Sequence, residues 1–492
     1  MTVSSASDAQ LGWGPSVRRL LAVSMGKAAR RGTRSLGQGN GTTVPGIVTL
    51  AIDPGALAGL VAEIPLGTVL VTGSNGKGTT CRMLAQVMQA SGLHPVINAE
   101  GANQRAGLAA TLVARAGATG HLPQDRLAIG LFEVDEGSFP EILRQVSQPT
   151  AVVLTNIFRD QLDRYLEPAY IKALLEQAIR HLPVDTALVL NADDPRVAFM
   201  APEVTNPRLY FGIEDPALCR GEADPTSDFP RCPRCDGELS YTCVFYAHLG
   251  HWTCRDCGLA RPQPQVRLTK ADLTATHSTR LAVATPTAET MLDVPLPGLY
   301  NAYNALAASA AASQCQLPEQ SLAAIEQITA AFFRMEKVRA YGHDVYLALA
   351  KNANGYTEVL RAVLGDRQPR QLLLGLNDYP GKQPDTSWIW DVDFASLTGL
   401  MPAPVLSGNR AADLAVRLKY AGWAGPGRDT DLTVEPDPVR ALRTTLGRTP
   451  PGQPIWVVST SVVLLELRRW LADQGYAREV WREQGGASTW QA

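Results

Sequence analysis

The sequence predicts an α/β chain: a mostly parallel sheet with helices on both faces, a metal-folded insertion, and a second α/β unit beyond it. Continuous apolar runs at residues 67–72, 127–134, 151–155 and 187–190 are separated by stretches with helical spacing such as 81–89 and 170–178. That is the pattern of strands buried on both faces of a parallel sheet. The interval 224–264 breaks it with cysteine, arginine, proline and aromatic residues. From about residue 335 the alternation resumes, with candidate strands at 345–349, 371–376, 405–406 and 455–458.

Between these blocks the pattern is more varied. Alternating residues at 266–283 and an alanine-rich helix beginning near Asn301 follow the insertion. Before the first strand, Arg18, Arg19, Lys27, Arg30, Arg31 and Arg34 face one acid, Asp8, within the first forty residues. Leu20, Leu21, Val23 and Met25 lie among them, so residues 17–29 read as a short amphipathic helix. Such a helix either docks on the protein's own surface or makes peripheral contact with a membrane. A glycine-rich run, 37–46, separates it from the first strand.

The 492 residues leave room for about three domains. With 45% apolar and 19% charged residues and a net charge of -2, the chain has the balance of a globular protein. It lacks the strongly basic character of a protein whose main partner is nucleic acid. No secretion signal and no apolar run long enough to cross a bilayer is evident. Of eight cysteines, four fall in two tight pairs and Cys81, Cys219, Cys243 and Cys315 are scattered. That usage argues against a disulfide framework and for a cytoplasmic protein, or one at the inner face of the membrane, with one metal site. Cys243 reads as apolar packing.

Residues 71–80, VTGSNGKGTT, lie between a buried strand and a helix. In that setting the backbone N–H groups of Gly73, Ser74, Asn75, Gly76, Lys77, Gly78, Thr79 and Thr80 can surround phosphate oxygens, with the Lys77 ammonium on the terminal phosphates. A hydroxyl of Thr79 or Thr80 suits magnesium. The full Walker pattern is not met, because Val71 stands at the first glycine position and Gly78 follows the lysine. The alternative is a glycine-rich turn with an exposed lysine. Glu133, at the end of the strand 127–134, is the first choice as a magnesium ligand, ahead of Asp135 and Glu136; a solvated acidic turn is the alternative. Further polar clusters follow the next strands: Asn156, Arg159 and Asp160, then Asn191, Asp193 and Asp194.

Cys232 and Cys235 form one C-x-x-C pair, Cys254 and Cys257 another, with 18 residues between them. This spacing lets a hairpin bring four thiolates around one zinc ion, and a closed shell makes the ion structural. His248 and His251 lie between the pairs and are not needed as ligands.

With TGSNGKGTT at 72–80, FEVDEGSFP at 132–140, TNIFRDQLDRY at 155–165, NADDP at 191–195, GLYNAYNALAA at 298–308, the four cysteines and NDYPGKQPDTSWIWDVDF at 377–394, the chain resembles the Mur ligase superfamily. Within it the cysteines and the DTSWIWD segment resemble the MurT-like subunits of lipid II isoglutaminyl synthase. The resemblance covers almost the whole chain. It implies a Mur ligase-type ATP-binding domain at 47–334 after a basic leader at 1–46, the zinc-ribbon insertion within it, and a C-terminal α/β domain at 335–492 that contacts a partner.

The same resemblance implies ATP and Mg2+ as cofactors beside Zn2+. It also implies a GatD-type glutamine amidotransferase subunit as heterodimer partner and lipid II as substrate. The reaction would amidate the D-glutamate α-carboxylate of the stem peptide through an acyl phosphate. Lys77 would meet the terminal phosphates, Glu133 and Thr79 magnesium, and Asn301 and Asn304 the nucleotide, although Asn301 also reads as a helix cap. Asp385, with Asp391 as second choice, would orient a histidine of the partner; capping a loop whose Trp388 and Trp390 pack inward or anchor the partner is the alternative. Gln161 stands where ordinary Mur ligases have a histidine, and no counterpart of their carbamylated lysine is found, which favours ammonia over an incoming amino acid. Two other readings remain: a stand-alone amino-acid ligase of Mur or folylpolyglutamate synthase type, whose loop KGTT resembles, and a non-catalytic nucleotide-binding scaffold whose zinc ribbon, with Arg231, Arg234 and Arg255 near it, binds nucleic acid.

Overall fold

A computed structural model describes residues 15–35, 43–99, 101–146, 148–159, 167–221, 230–274, 278–328, 334–364, 370–378, 385–395, 403–423 and 432–477. Asp160, Gln161 and most of the glycine-rich run lie outside them.

In chain order the first strands are β1 (Thr68–Thr72), β2 (His94–Ile97), β3 (Ala128–Glu133), β4 (Ala151–Leu154), β5 (Ala187–Asn191) and β6 (Arg208–Ile213). A hairpin of β7 (Leu239–Tyr246) and β8 (Leu249–Cys254) interrupts them before β9 (Val266–Asp272), β10 (Thr279–Ala284) and β11 (Glu289–Val294). The sheet runs β11-β10-β9-β6-β5-β4-β1-β3-β2. Pairing is parallel from β2 through to β9, and antiparallel from β9 to β11. Chain order reverses between β1 and β4, and ligands of open α/β sheets bind at the carboxyl ends of the strands beside such a reversal.

β1 illustrates why the pattern is legible. All five of its residues are buried. Val69 and Val71 pack on one face with Met83, Leu84 and Val87 of the helix Lys77–Ala90. Leu70 packs on the other with Leu108 and Leu112 of the helix Arg105–Arg115. Each such side chain contributes about 1.5–3 kcal/mol on burial. The alanine-rich helix, Leu299–Gln314, lies on the first of these faces with its alanines buried. The alternating stretch expected at 266–283 divides into β9, which alternates between buried and exposed residues, and the mostly buried β10 beside the edge strand β11. β2 and β6 escape the sequence reading because one has four residues and the other opens on partly exposed Arg208 and Leu209.

The basic segment forms a helix, Pro15–Ser35, longer than the 17–29 expected. It is docked: Ala22 and Val23 are buried, and Thr49 Oγ1 of the adjoining helix Val44–Ile52 donates to Ala22 O at 3.2 Å. Gly26 makes that close packing feasible, since a Cβ there would sit 2.2 Å from Thr49 Oγ1 and 3.0 Å from Pro45 O.

The second sheet comprises β12 (Arg334–Ala340), β13 (His343–Leu349), β14 (Gln371–Gly375), β15 (Val405–Ser407), β16 (Thr433–Val434) and β17 (Ile455–Ser459), in the order β12-β13-β17-β14-β15-β16. Only β12 and β13 pair antiparallel. The turn after β13 reaches the first unit, where Asn352 Nδ2 donates to Asn75 Oδ1 at 3.2 Å. A second link is Arg220 to Glu358 at 2.9 Å, with the Glu358 side chain 3% exposed.

One cysteine expectation is corrected. Cys243 does pack in the core, but it is also joined to Cys219 by a disulfide with Cα atoms 5.3 Å apart. Spacing alone gave no sign of this pair, because β7 supplies one partner and the turn after β6 the other.

Candidate nucleotide site and metal centre

The turn after β1 is shaped by two glycines and one asparagine. Gly73 has φ +129° and Gly76 φ +88°, backbone that disfavours any side chain. Added Cβ atoms would also meet Thr155 Oγ1 at 2.4 Å and Asn304 Oδ1 at 2.1 Å. The turn is held to the segment after β4. Ser74 N donates to Asn156 O at 2.9 Å and Asn75 N to Asn156 Oδ1 at 2.8 Å. Thr155 Oγ1 and Asn156 Nδ2 donate back to Asn75 O at 2.8 and 3.1 Å.

Lys77 opens the following helix, and its side chain is buried rather than exposed. Its ammonium donates to Gly73 O, to Ser74 O at 3.2 Å and to Glu136 Oε2 at 2.9 Å. Burial works against the charge, but Glu136, Glu133 and Asp135 outweigh it and hold the Lys77 pKa above its ordinary value. Burial likewise opposes ionisation of Glu136, yet Lys77 and then Lys351 keep its carboxyl below the usual range.

Glu133 reaches the same place from the end of β3. Asn103 Nδ2 donates to its Oε1 at 3.0 Å, and its Oε2 lies 2.8 Å from where a Gly78 Cβ would be. Gly78, where the Walker pattern has Ser or Thr, thus sits directly beside the Glu133 carboxylate, which would have to shift for a side chain there. Thr79 is nearly buried and Thr80 fully so. The Thr80 hydroxyl has no hydrogen-bond partner among the described residues.

Asn301 and Asn304 come to the loop from the alanine-rich helix. Asn301 Nδ2 donates to Pro297 O at 2.7 Å, and Asn304 Nδ2 to Asn301 Oδ1 at 3.1 Å. The helix begins at Leu299 with Gly298 at its cap, so Asn301 is not the cap residue. Lys351 and Asn352 belong to the site's surroundings and were missed in sequence. Their signal was available, since a polar pair follows the predicted strand 345–349 just as polar clusters follow the others.

The aspartates of the C-terminal segment stand apart from this cluster. Asp385 Oδ1 accepts from Ser387 N at 2.8 Å, ahead of the turn Ser387–Asp391. Asp391 is exposed, its carboxylate 3.9 Å from Arg159 Nη1, whereas Asp393 pairs with Arg361 at 3.1 Å. Trp388 packs against Tyr356 in the core. Trp390 is 49% exposed and leans on Tyr420, 76% exposed, with ring centres 5.8 Å apart.

The four paired cysteines converge. Cys232 Sγ lies 3.6 Å from Cys257 Sγ and Cys235 Sγ 3.5 Å from Cys254 Sγ, with all four sulfurs within 4.8 Å of one another. Sulfurs around zinc at its usual bond length would be about 3.8 Å apart, so the set fits that ion. Backbone N–H groups, that of Cys257 foremost, bring the Cys254 thiol down to about 7, whereas burial raises Cys232 and Cys235 is pushed up to about 12, as expected where one thiolate forms among close neighbours. The intervening histidines turn elsewhere: His251 Nε2 is 2.9 Å from Ile213 O, and His248 Nε2 3.3 Å from Asp194 Oδ1.

Comparison with known proteins identifies the family and the fold. The Mur ligase middle domain matches residues 71–229, and the MurT ligase C-terminal region matches 349–462. The lipid II isoglutaminyl synthase (glutamine-hydrolyzing) subunit MurT of Streptococcus pneumoniae is 32% identical over 450 residues, 90% of this chain and 94% of that one. Its counterpart in Staphylococcus aureus is 29% identical, covering 87% and 93%. Among solved structures, a pseudomurein peptide ligase type C from Methanothermus fervidus has a TM-score of 0.62 at 21% identity, covering 84% of this chain and 79% of that one. MurF from Acinetobacter baumannii has a TM-score of 0.60 at 18% identity, covering 87% and 80%. The fold is therefore that of the Mur ligases, and the chain belongs to the MurT family.

Proposed function

We propose that this chain is the ATP-using subunit of an amidating ligase, converting the D-glutamate α-carboxylate of the lipid II stem peptide to D-isoglutamine with ammonia from a partner glutaminase. The observation that carries the reading is the buried Lys77 ammonium, set among loop carbonyls and Glu136 with Glu133 beside Gly78. The names of the relatives, glutamine-hydrolysing lipid II isoglutaminyl synthase subunits, support the acceptor and the nitrogen source.

A carboxylate is a poor electrophile until one oxygen becomes a good leaving group. In this reading a carboxylate oxygen attacks the terminal phosphorus of ATP, ADP leaves, and an acyl phosphate forms. Ammonia then adds to the acyl carbon and inorganic phosphate departs with that oxygen, leaving the amide and a proton. Glu133 and Thr79 would hold a magnesium ion, which would supply positive charge to the phosphates. Phosphate oxygens replace Gly73 and Ser74 carbonyls as acceptors for Lys77, while Glu136 keeps the ammonium in place. Lys351, close enough to lower the Glu136 pKa, adds a second cation from the other sheet.

Ammonia comes from elsewhere, because the described cysteines outside the ribbon and the disulfide are poor nucleophiles. Burial pushes the Cys81 thiol well up and the Cys315 thiol up to about 11. We place the glutaminase on the C-terminal unit, against the exposed Trp390 and Tyr420 rings, with Asp385 orienting its histidine. A membrane-facing side fits the helices Pro15–Ser35 and Val44–Ile52. Val17, Met25, Val44 and Ile47 are each about half exposed there, and the first helix carries basic but no acidic residues. No described helix is long and apolar enough to cross a membrane.

In the complex recovered with its glutaminase, Lys77→Ala should abolish ATP-dependent amidation of lipid II; near-normal turnover would rule out this site. Asp385→Asn should lower glutamine-driven turnover at least about ten-fold while sparing ammonium-driven turnover. Equal loss with both nitrogen sources would remove that aspartate from the partner's site. The full chain should sediment with anionic vesicles, and Ile47→Glu should weaken this; equal recovery with neutral vesicles or none would exclude the membrane-facing side.

A further inference from the structure

The four-cysteine hairpin has two unlike ends. At the cysteine end Cys235 is exposed and Cys257 partly so, whereas at the tip Tyr246, Ala247, His248 and Leu249 are all at most 3% exposed. The tip is buried against the nucleotide site. The Tyr246 ring centre lies 5.1 Å from that of Phe158, and His248 meets Phe158 edge-on at 4.9 Å. Phe158 in turn holds the phosphate loop through its backbone. Its N–H donates to Ser74 Oγ at 2.9 Å, and its carbonyl accepts from the same hydroxyl at 3.2 Å. The Asn75 side chain also faces the Tyr246 hydroxyl.

The rest of β8 grips the turn after β5, which supports the same segment. Gly250 N donates to Asp193 O at 3.0 Å and Trp252 Nε1 to Ala192 O at 3.1 Å. The His248 ring lies against Asp194, whose Oδ2 accepts from Ile157 N at 2.8 Å. Beyond the second cysteine pair, Arg261 binds Asp193 at 2.6 Å and Glu214 at 2.7 Å. Three successive residues, 192–194, are thus held by the hairpin or the segment that leaves it.

We propose that the zinc ribbon is a positioning element of the nucleotide site, so that metal binding at the four cysteines sets ATP affinity. A two-stranded hairpin is marginal by itself, and four thiolates on one ion fix its open end. Fixing that end holds β7 and β8 in register, which holds Tyr246 and His248 against Phe158. Phe158 then keeps Ser74, and with it the loop, in the shape that receives phosphate. Tyr246 and His248 act through Phe158 and are positioning residues. This inference rests on the reading of the loop as an ATP site.

The test measures ATP binding directly, by equilibrium dialysis of labelled Mg-ATP with the full chain, alongside metal content and far-UV circular dichroism. Untreated protein should carry one zinc per chain. Removing zinc with a chelator, then removing the chelator and restoring magnesium, should weaken ATP binding on the order of ten-fold, the effect of losing one or two hydrogen bonds. Added zinc should restore it. His248→Ala should retain zinc yet weaken ATP binding, and should raise KM for ATP with little change in kcat or in KM for ammonium. His248→Gln, which keeps a donor, should recover part of the loss.

Zinc-free, folded protein that binds ATP as tightly as the loaded form would overturn the proposal. If stripping zinc unfolds the chain, the His248 variant decides: normal ATP affinity with normal zinc content overturns it. Failure of the zinc-loaded wild-type chain to bind ATP would overturn the reading of the loop itself.

Discussion

The site depends on one buried charge. The Lys77 ammonium is almost out of water, its side chain 9% exposed and that of Glu136 5%. Removing one partner from a buried pair costs about 3–5 kcal/mol, because the other is left charged and unsolvated. The rest of the arrangement follows from keeping that ammonium paired. The loop turns its carbonyls inward to meet it. β3 ends at the acidic run that faces it, and Gly78 has no side chain, so Glu133 comes within reach. The second sheet brings the Lys351 charge to bear on Glu136 as well.

Two mostly parallel sheets make this convergence feasible, because each directs the ends of its parallel strands, and the turns after them, to one place. The turns after β1, β3, β4 and β5 supply the loop, the acids, Asn156 and the Asp193–Asp194 support. The turn after β13 supplies Lys351 and Asn352. The zinc ribbon belongs to the same construction. Rather than standing off as a separate knuckle, it folds Phe245, Tyr246 and Leu249 into the core shared by β1 and the alanine-rich helix.

Sequence made the buried parallel strands legible because they are continuous apolar runs, and the turn after β1 legible because glycines and a lysine follow that strand. The four cysteines were legible because metal chemistry fixes their spacing. What escaped was decided by tertiary contacts. The closeness of Glu133 to Gly78 is one such contact. The Cys219–Cys243 pair, the inward turn of Trp388 and the outward turn of Trp390 depend on neighbours distant in sequence. Asn301 read as a cap because the helix was taken to start at it, when Gly298 and Leu299 begin it two residues earlier.

The central claim is that this buried cation serves to place phosphate on a substrate carboxylate. The most direct measurement follows a heavy-oxygen label in the α-carboxylate of the D-glutamate residue during ATP-dependent amidation by the complex. The account predicts that each amide formed releases one inorganic phosphate carrying label from that carboxylate. Amide formation with unlabelled phosphate would contradict it.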